Sequence, residues 1–533
     1  MMNIGKLIED NVKRFGEYES IYFEGKWYTN AEVNRTANQL GNALKGLGIG
    51  KGDRVAVQMP NSPPVFSAFP AIYKIGGIVV PLSPLLRSDQ ASYIYRDCGA
   101  KALLTSSDYL GWILEAQKQA PDLKYIILTD KDGIPGTVSY RELMLDSSSE
   151  LVLEETDNND VAALIYTAGT TGQPKGVMHT HYSLYINALS FYEYVLINLP
   201  LTLRQTSNSI DPKTLESIET SLAVTGTSRT TVSLGVLPLS HSYGIAFSIM
   251  GSFVGGKAVV LRWWNVEEAL KAIQSFRILH MAAVPTMYIQ ILDFPDLDKY
   301  DLSSLQACNS GGAALPVEIA VRWKQKTGVD IREGWGLTES GATTTGQPVD
   351  LPPKYGSIGK NLLRCNVIKV FDDNGHELPP GQQGEIVVKG PTLMKGYWNL
   401  PEDTAQAIKN GWLYTGDIGY MDEDGYLYIT DRKKDIIIRG GENVSPREVE
   451  EVLYQNPKVA EAGVVGIPDK TYGEEIKAFV VLKIQEQASE EEIIAFCKEC
   501  LPTFKIPKRV QFIESLPKNL LGKLLRAELR KLG

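Results

Sequence analysis

The chain has 533 residues, of which 43% are hydrophobic and 22% are charged, and its formal net charge is −9. This composition is that of a globular protein with about two to four domains, and the negative charge argues against nucleic-acid binding, which requires Lys and Arg to neutralise phosphates. No apolar run reaches the ~18 residues of a membrane-spanning helix, and the first twenty residues lack the apolar core of a signal peptide. We therefore expect a cytoplasmic protein without an integral membrane segment.

The large N-terminal part alternates helical patterns with short apolar strands. A helix signal begins at "YTN", where Thr29 or Asn30 can cap it. The apolar strand signals that follow are "RVAVQM" (54–59), "GGIVVPLSP" (76–84), "AKALLTS" (100–106), "LKYIILTD" (123–130), "DVAALIYTAGT" (160–170) and "GKAVVL" (256–261). Strands without polar alternation, separated by helices, predict parallel sheets covered on both faces. The fold class expected for this part is layered α/β.

The pattern of secondary-structure signals in the sequence changes at about residue 355. Residues 355–430 alternate strands with turn signals such as "DDNG", "PPGQQG" and "DEDG", which predicts a small β-rich subdomain. After "DRKKD" (431–435), helix and strand signals predict a compact α+β domain. We therefore divide the chain into residues 1–433 and residues 434–533, with the short charged join as a candidate hinge.

Five cysteines are too few and too scattered for a disulfide framework. Cys497 and Cys500 form a C-x-x-C pair in "EEEIIAFCKEC", but no second pair completes a zinc site. The surrounding pattern is that of an amphipathic helix. Helix packing is therefore the preferred interpretation of this pair.

A glycine- and threonine-rich loop, "YTAGTTGQPKGV" (166–177), follows one of the apolar strands. It does not match the Walker pattern, because Pro174 precedes Lys175. Its backbone N–H groups can nonetheless form a nest for anionic oxygens. The predicted phosphate contacts are Thr167, Gly169, Thr170, Thr171, Gly172 and Lys175. A surface loop without a ligand is the alternative.

Four further segments follow this loop in order. They are "NSGGAALP" (309–316), "EGWGLTES" (333–340), "YTGDIGYMDEDGYLYITDRKKDIIIRGGENVSPREVEEVL" (414–453) and "LPKNLLGKLLRAELRK" (516–531). Together with the loop they resemble the adenylate-forming superfamily, which contains acyl-CoA synthetases, peptide-synthetase adenylation domains and luciferases. The resemblance covers nearly the whole chain and is greatest to fatty- and aryl-acid–CoA ligases.

The resemblance implies a two-step reaction. A carboxylic acid and ATP, with Mg²⁺, would give acyl-AMP and pyrophosphate, and the thiol of coenzyme A (CoA) would then take the acyl group. The alternatives are transfer to a carrier protein, oxidation as in luciferases, or nucleotide binding without catalysis. The expected partners are therefore small molecules, and the sequence leaves a homodimer open.

The resemblance also assigns roles around the nucleotide. Thr338 would bind the α-phosphate, Glu339 would hold Mg²⁺, and Trp335 would stack on adenine where many relatives have Tyr. Asp417 would accept hydrogen bonds from both ribose hydroxyls, since a carboxylate offers two acceptor oxygens. The remaining nucleotide-binding candidates are Gly311, Gly312, Ala313, Gly336, Ile429 and Arg432. Read without the resemblance, "LTES" is a helix N-terminal capping pattern.

Lys523 in "LLGKLL" matches the family's C-terminal-domain lysine, which contacts the substrate carboxylate and the α-phosphate during adenylation. The hinge for rotation of that domain would be Lys434. After rotation, Gly440, Gly441 and Glu442 would line the passage for CoA. The same segment also predicts an ordinary helix start, capped by Ser445.

The acid would lie among mostly apolar or small residues. By the resemblance its pocket includes His241, Tyr243, Met287, Cys308 and Ser310. The segment "LPLSHSYG" carries no Asp to bind an α-ammonium group, so we expect a fatty, alicyclic or aromatic acid without an amino group. Residues 197–233 are an insertion rich in Ser and Thr, which we interpret as surface structure.

Overall fold

A computed structural model describes residues 2–167, 173–196, 232–349, 351–362, 365–483, 485–518 and 523–532. Four predicted phosphate contacts, Gly169, Thr170, Thr171 and Gly172, lie outside the described residues, as does nearly all of the 197–233 insertion. The helices, numbered in chain order, are α1 (Leu7–Phe15), α2 (Asn30–Gly46), α3 (Pro63–Lys74), α4 (Ser88–Cys98), α5 (Leu110–Gln117), α6 (Tyr140–Leu145), α7 (His181–Leu196), α8 (Ser242–Val254), α9 (Val266–Phe276), α10 (Pro285–Leu292), α11 (Val317–Thr327), α12 (Pro401–Ala407), α13 (Pro446–Gln455), α14 (Glu490–Cys500) and α15 (Arg526–Lys531).

The strands are numbered in chain order in the same way as the helices. They are β1 (Glu19–Phe23), β2 (Lys26–Thr29), β3 (Arg54–Gln58), β4 (Ile78–Pro81), β5 (Ala102–Thr105), β6 (Tyr125–Leu128), β7 (Val138–Ser139), β8 (Val161–Thr167), β9 (Lys175–Thr180), β10 (Val232–Gly235), β11 (Lys257–Val260), β12 (His280–Ala283), β13 (Ala307–Ser310), β14 (Ile331–Trp335), β15 (Thr345–Gly346), β16 (Lys360–Asn361), β17 (Val367–Phe371), β18 (Gly384–Lys389), β19 (Gly396–Tyr397), β20 (Ile408–Lys409), β21 (Trp412–Met421), β22 (Leu427–Arg432), β23 (Ile437–Arg439), β24 (Glu442–Val444), β25 (Val459–Asp469), β26 (Gly473–Leu482) and β27 (Arg509–Phe512).

Two large sheets form the N-terminal part. One has the order β19-β9-β8-β4-β3-β5-β6-β7, with parallel pairing from β8 to β7 and antiparallel pairing of β9 with β8 and β19. The other has the order β16-β15-β14-β13-β12-β10-β11-β1-β2. A single buried cluster contains residues of both sheets, such as Val57 and Leu234, together with residues of α2, α3, α7 and α8. The predicted layered α/β fold is confirmed.

Two smaller sheets follow. The first contains β17, β18, β20, β21 and β22, and it corresponds to the predicted β-rich subdomain. The second contains β23 to β27 and packs with α13 and α14 around its own core. Because β22 ends at Arg432 and β23 begins at Ile437, the predicted boundary at 433/434 lies between two sheets. The boundary itself stays a prediction.

Local sequence signals explain several helix ends. Thr29 caps α2 in a capping box with Glu32, which satisfies N–H groups that a helix start leaves unpaired. Ser445 caps α13, with Pro446 at its first position, as predicted. In α14, Cys497 is buried and Cys500 is exposed, so Cys497 has the predicted packing role. In the described part of the chain, no helix combines the length and apolar character needed to cross a membrane.

Candidate active site

The predicted phosphate loop connects two antiparallel strands. Thr167 at the end of β8 is paired directly with Lys175 at the start of β9. The Lys175 ammonium lies 2.8 Å from a carboxylate oxygen of Asp403 and 5.2 Å from the centre of the Tyr397 ring. The lysine is thus held at the mouth of the loop by residues of the β-rich part of the chain.

A turn after β14 positions Thr338 and Glu339. The buried His179 lies with Nε2 2.7 Å from the Thr338 carbonyl oxygen, so Nε2 must carry the proton. Burial lowers the pKa of His179 to about 4, which keeps the ring neutral. The Thr338 hydroxyl lies 3.3 Å from that of Ser242. The Glu339 carboxylate accepts a hydrogen bond of 3.0 Å from the Tyr397 hydroxyl.

Close backbone approach fixes glycine next to this turn. A Cβ at Gly336 would lie 1.9 Å from the carbonyl oxygen of Ala342. Such a distance leaves no room for any side chain. Gly312 has φ of +82°, a left-handed conformation that disfavours other residues. Beside it, a Cβ at Gly311 would touch the Tyr243 ring at 3.4 Å, and Ala313 continues this turn after β13.

Asp417 is buried between two donors. The Trp335 indole N–H donates to one carboxylate oxygen over 2.8 Å, and Arg432 Nε lies 2.9 Å from the other. Arg432 is the cross-strand partner of Asp417 between β21 and β22. Because a carboxylate has about four lone-pair sites, it retains capacity for further donors. The contact from Trp335 was not foreseen from the sequence, and adenine stacking on Trp335 stays a prediction.

Lys523 reaches the same region from the C-terminal part of the chain. Burial, and then the positive charge of Arg432, lower the pKa of Lys523 to about 8, while Asp417 opposes this effect. Burial lowers the pKa of His241 to about 4, and the charge of Lys523 contributes. Lys523 therefore lies within electrostatic reach of both Asp417 and His241. With Lys434 also acting on it, this region concentrates positive charge.

The hinge and CoA candidates lie on the C-terminal side. Lys434 is exposed in the turn between β22 and β23. Gly440 and Gly441, with φ of +61° and +90°, form the tight turn between β23 and β24, and Glu442 follows in β24. The carbonyl of Ile429 accepts a hydrogen bond from Arg447 of α13. The role of Lys434 as a hinge and the roles of Gly440, Gly441 and Glu442 in CoA binding stay predictions.

The acyl-pocket candidates occupy different environments. His241 caps α8, with Nδ1 accepting from the Tyr243 N–H over 3.2 Å. Cys308 is buried in the same core cluster as Trp323 and Tyr288. Met287 is buried, and Ser310 is buried with a hydroxyl that has no hydrogen-bond partner among the described residues. Their roles in binding the acid stay predictions.

A large apolar cavity, missed from the sequence, lies beside the His241 turn. It has a volume of about 150 Å³ and is bounded by α1, α2, α3, α8, β1, β10 and β11. The cavity wall includes Phe66, Phe69, Val236, Leu239 and Phe247. None of the five acyl-pocket candidates belongs to this wall. Small residues along α8, namely Gly244, Ser248, Gly251 and Ser252, were the sequence signal that could have indicated it.

Comparison with known proteins identifies the family. The profile for AMP-binding enzymes matches residues 8–398, and that for the C-terminal domain of AMP-binding enzymes matches residues 448–523. A long-chain-fatty-acid–CoA ligase of Bacillus subtilis (strain 168) is 34% identical, with 98% of this chain and 93% of the relative covered. A long-chain-fatty-acid–CoA ligase of Escherichia coli O6:H1 is 32% identical, with the same shares covered.

A solved structure agrees with the sequence relatives. The anthranilate CoA ligase AuaEII in complex with anthranoyl-AMP superposes with a TM-score of 0.89 at 29% identity, covering 99% of this chain and 97% of that one. The profiles span both parts of the chain, and the superposition extends over nearly its whole length. The chain belongs to the AMP-binding enzyme family, which is the adenylate-forming superfamily that its motifs predicted.

Proposed function

We propose that this protein is an AMP-forming fatty-acid–CoA ligase. The observation that carries the proposal is that Lys523 lies within electrostatic reach of Asp417 and His241, although it is distant from both in the sequence. A lysine brought from the C-terminal part of the chain to a cation-rich site fits a reaction between two anions. The coarser statement, a carboxylate–CoA ligase, agrees with the names of both relatives.

The first half-reaction needs positive charge because a carboxylate must approach a polyphosphate. A carboxylate oxygen of the acid attacks the α-phosphorus of ATP, and the bond from that phosphorus to the bridging oxygen breaks, so that pyrophosphate leaves. The Lys523 ammonium, protonated at neutral pH, would neutralise charge on the transferring group. Lys175 and the loop before it would hold the departing phosphates.

Mg²⁺ fits the residues near Glu339. Mg²⁺ in proteins is commonly bound by one or two carboxylates together with substrate phosphates. Among the described residues no group of three or more His, Cys, Asp or Glu could hold a metal, so Glu339 would act with ATP itself. The ion would supply charge neutralisation at the phosphates. The Tyr397 hydroxyl orients the carboxylate through one oxygen and leaves the other available.

The cavity beside His241 favours a fatty acid over the alicyclic and aromatic alternatives. Its apolar wall, which includes Phe66, Phe69 and Phe247, suits a long aliphatic chain, because burial of apolar surface is favourable. The relatives' names point in the same direction. In the second half-reaction the CoA thiolate would attack the acyl carbon and release AMP after rotation of the C-terminal domain about Lys434.

The test separates the two half-reactions. Lys523→Ala should reduce acyl-AMP formation by about 10³-fold or more, because it removes the cation that acts in the transition state, yet it should still convert supplied acyl-AMP and CoA to thioester. The matched control is Lys531→Ala, which removes an exposed lysine of the same C-terminal tail that forms an ion pair with Glu528.

The assay follows AMP, pyrophosphate and thioester with ATP, Mg²⁺, CoA and a panel of acids. Equal loss of both half-reactions in the Lys523 variant would contradict its assigned role. Formation of ADP instead of AMP would contradict the proposed reaction as a whole.

A further inference from the structure

Helix α8 contributes a strip of small residues to the wall of the apolar cavity. Gly244, Ser248, Gly251 and Ser252 all line it, and their spacing of four, seven and eight residues places them on one helix face. Bulky apolar side chains at these four positions would fill the adjoining part of the cavity. The same helix also contributes Phe247 and Ile249 to the wall, so the small residues leave open space along one strip of it.

The N-terminal end of α8 adjoins the reaction site. The Ser242 hydroxyl lies 3.3 Å from that of Thr338, and the Tyr243 ring faces Gly311. The cavity-lining residues Leu239 and Gly244 flank this turn in the sequence, so the cavity lies next to the predicted position of the α-phosphate. The carboxyl group of the acid belongs at this end, and its tail belongs further along α8.

The C-terminal end of α8 is closed by a polar cluster. The Asn11 side chain donates to the Ser252 backbone carbonyl and to the Tyr18 hydroxyl. The Asn30 side chain donates to the side-chain amide oxygen of Asn11 and to the Gly16 backbone carbonyl. Both N–H groups of each amide are thereby used. An acyl tail that ends in a methyl group suits the C-terminal end of α8, because a methyl group needs no hydrogen bond from those amides.

Three glycines of the wall differ in the space around them. A Cβ at Gly244 would lie 2.2 Å from the Pro238 carbonyl oxygen, and one at Gly235 would lie 3.0 Å from the Val260 side chain. A Cβ at Gly251 would meet no atom within 4 Å. Glycine at 251 is therefore not required by packing, although glycine weakens a helix interior.

We propose that Gly251 determines how far the acyl tail can extend along α8, and so determines the range of chain lengths that the enzyme accepts. The inference rests on the proposed function and names a specificity-determining residue for it. Seven residues separate Gly244 from Gly251, which is about 10 Å along a helix. That distance corresponds to roughly eight methylene groups at about 1.25 Å each, from a C–C bond of about 1.5 Å.

The test compares Gly251→Leu and Gly251→Ala with Gly111→Leu. Gly111 is an exposed helix residue of α5 whose added Cβ would also meet no atom within 4 Å, so it controls for the effect of a leucine on an open helix position. We expect Gly251→Leu to lower kcat/KM for hexadecanoate by about tenfold or more, because a single methylene in an apolar pocket changes discrimination by about 10–200-fold. Gly251→Ala should lower the same kcat/KM by a smaller factor. Hexanoate should be converted at the unchanged rate, and the control should convert both acids normally.

A second measurement does not depend on turnover. Calorimetric binding of hexadecanoate should weaken in Gly251→Leu and stay unchanged in the control, with no fall in melting temperature. Equal effects on both acids, or no effect on either, would overturn the inference. The wild-type protein could form no thioester while hexadecanoate binding still depended on residue 251. That result would overturn the proposed ligase function and leave the chain-length role supported.

Discussion

The hydrogen bond from Trp335 to Asp417 gives a quantitative prediction. Trp335→Phe keeps an aromatic ring for adenine but removes part of the indole, including the N–H group whose nitrogen lies 2.8 Å from the buried carboxylate. A hydrogen bond to a charged group contributes about 1.5–3 kcal/mol. Since 1.4 kcal/mol corresponds to a factor of ten, we expect kcat/KM for ATP to fall by roughly 10- to 100-fold.

The cause of that loss can be isolated with a second nucleotide. If Trp335 acts by orienting Asp417 toward the ribose, its substitution should cost less when the nucleotide is 2′-deoxy-ATP, which lacks one hydroxyl for Asp417. Coupled groups typically show interaction energies of about 0.5–3 kcal/mol in such a cycle. The assay is pyrophosphate release in the adenylation half-reaction, for both proteins with both nucleotides.

Trp412→Phe is the matched control. Trp412 lies on the same strand as Asp417 and packs against Phe371, with ring centres 5.2 Å apart. Its substitution removes an indole from the same sheet without touching Asp417. An identical fold-loss for ATP and 2′-deoxy-ATP in Trp335→Phe would refute the orienting role, and the indole would then act through adenine alone.

Three other predictions concern protonation and backbone fit. Adenylation should slow as the pH rises through about 8, because Lys523 has a pKa of about 8 and loses its charge there, whereas His241 stays neutral. Lys523→Arg should abolish this fall in rate at alkaline pH. If the fall remains in that variant, another group causes it. The free energy of unfolding should drop as the pH falls from 6.5 to 4, because the unfolded chain then binds a proton that buried His179 excludes. One such histidine contributes up to about 3 kcal/mol, so denaturant titrations should find a shallower pH slope in His179→Gln, and an equal slope would contradict the assignment. Gly336→Ala should lower both the melting temperature and adenylation, since the new Cβ would overlap a carbonyl oxygen; Gly111→Ala, at an open helix position, should change neither, and a fully active Gly336→Ala enzyme would show that the turn can shift at little cost.

Features encoded locally were predictable from the sequence. The start of α2 follows from Thr29 and Glu32, whose side chains and N–H groups satisfy one another within four residues. The start of α13 follows from Ser445 and Pro446 in the same way. The family motifs extended this reach to Asp417, Arg432 and Lys523, which share one region of the structure although the first and the last are 106 positions apart in the sequence.

Features that depend on distant pairing were not predictable. The cavity is bounded by β1 and β11, which pair in parallel with Ile21 opposite Ala258, and no local pattern specifies that partnership. Tyr397 contacts Glu339, and Asp403 contacts Lys175, but neither residue lies in a segment that resembles a nucleotide motif. Their roles follow only from the sheet register that brings them together.

Strand β19 has a consequence for biosynthesis. Its two residues, Gly396 and Tyr397, pair with β9 and cover the outer edge of the first sheet. While the ribosome is still making residues 181–395, that edge is an open template for pairing with other chains. The strand that closes it carries the hydroxyl that donates to Glu339, so a single late pairing step both covers the exposed edge and fixes the Glu339 carboxylate.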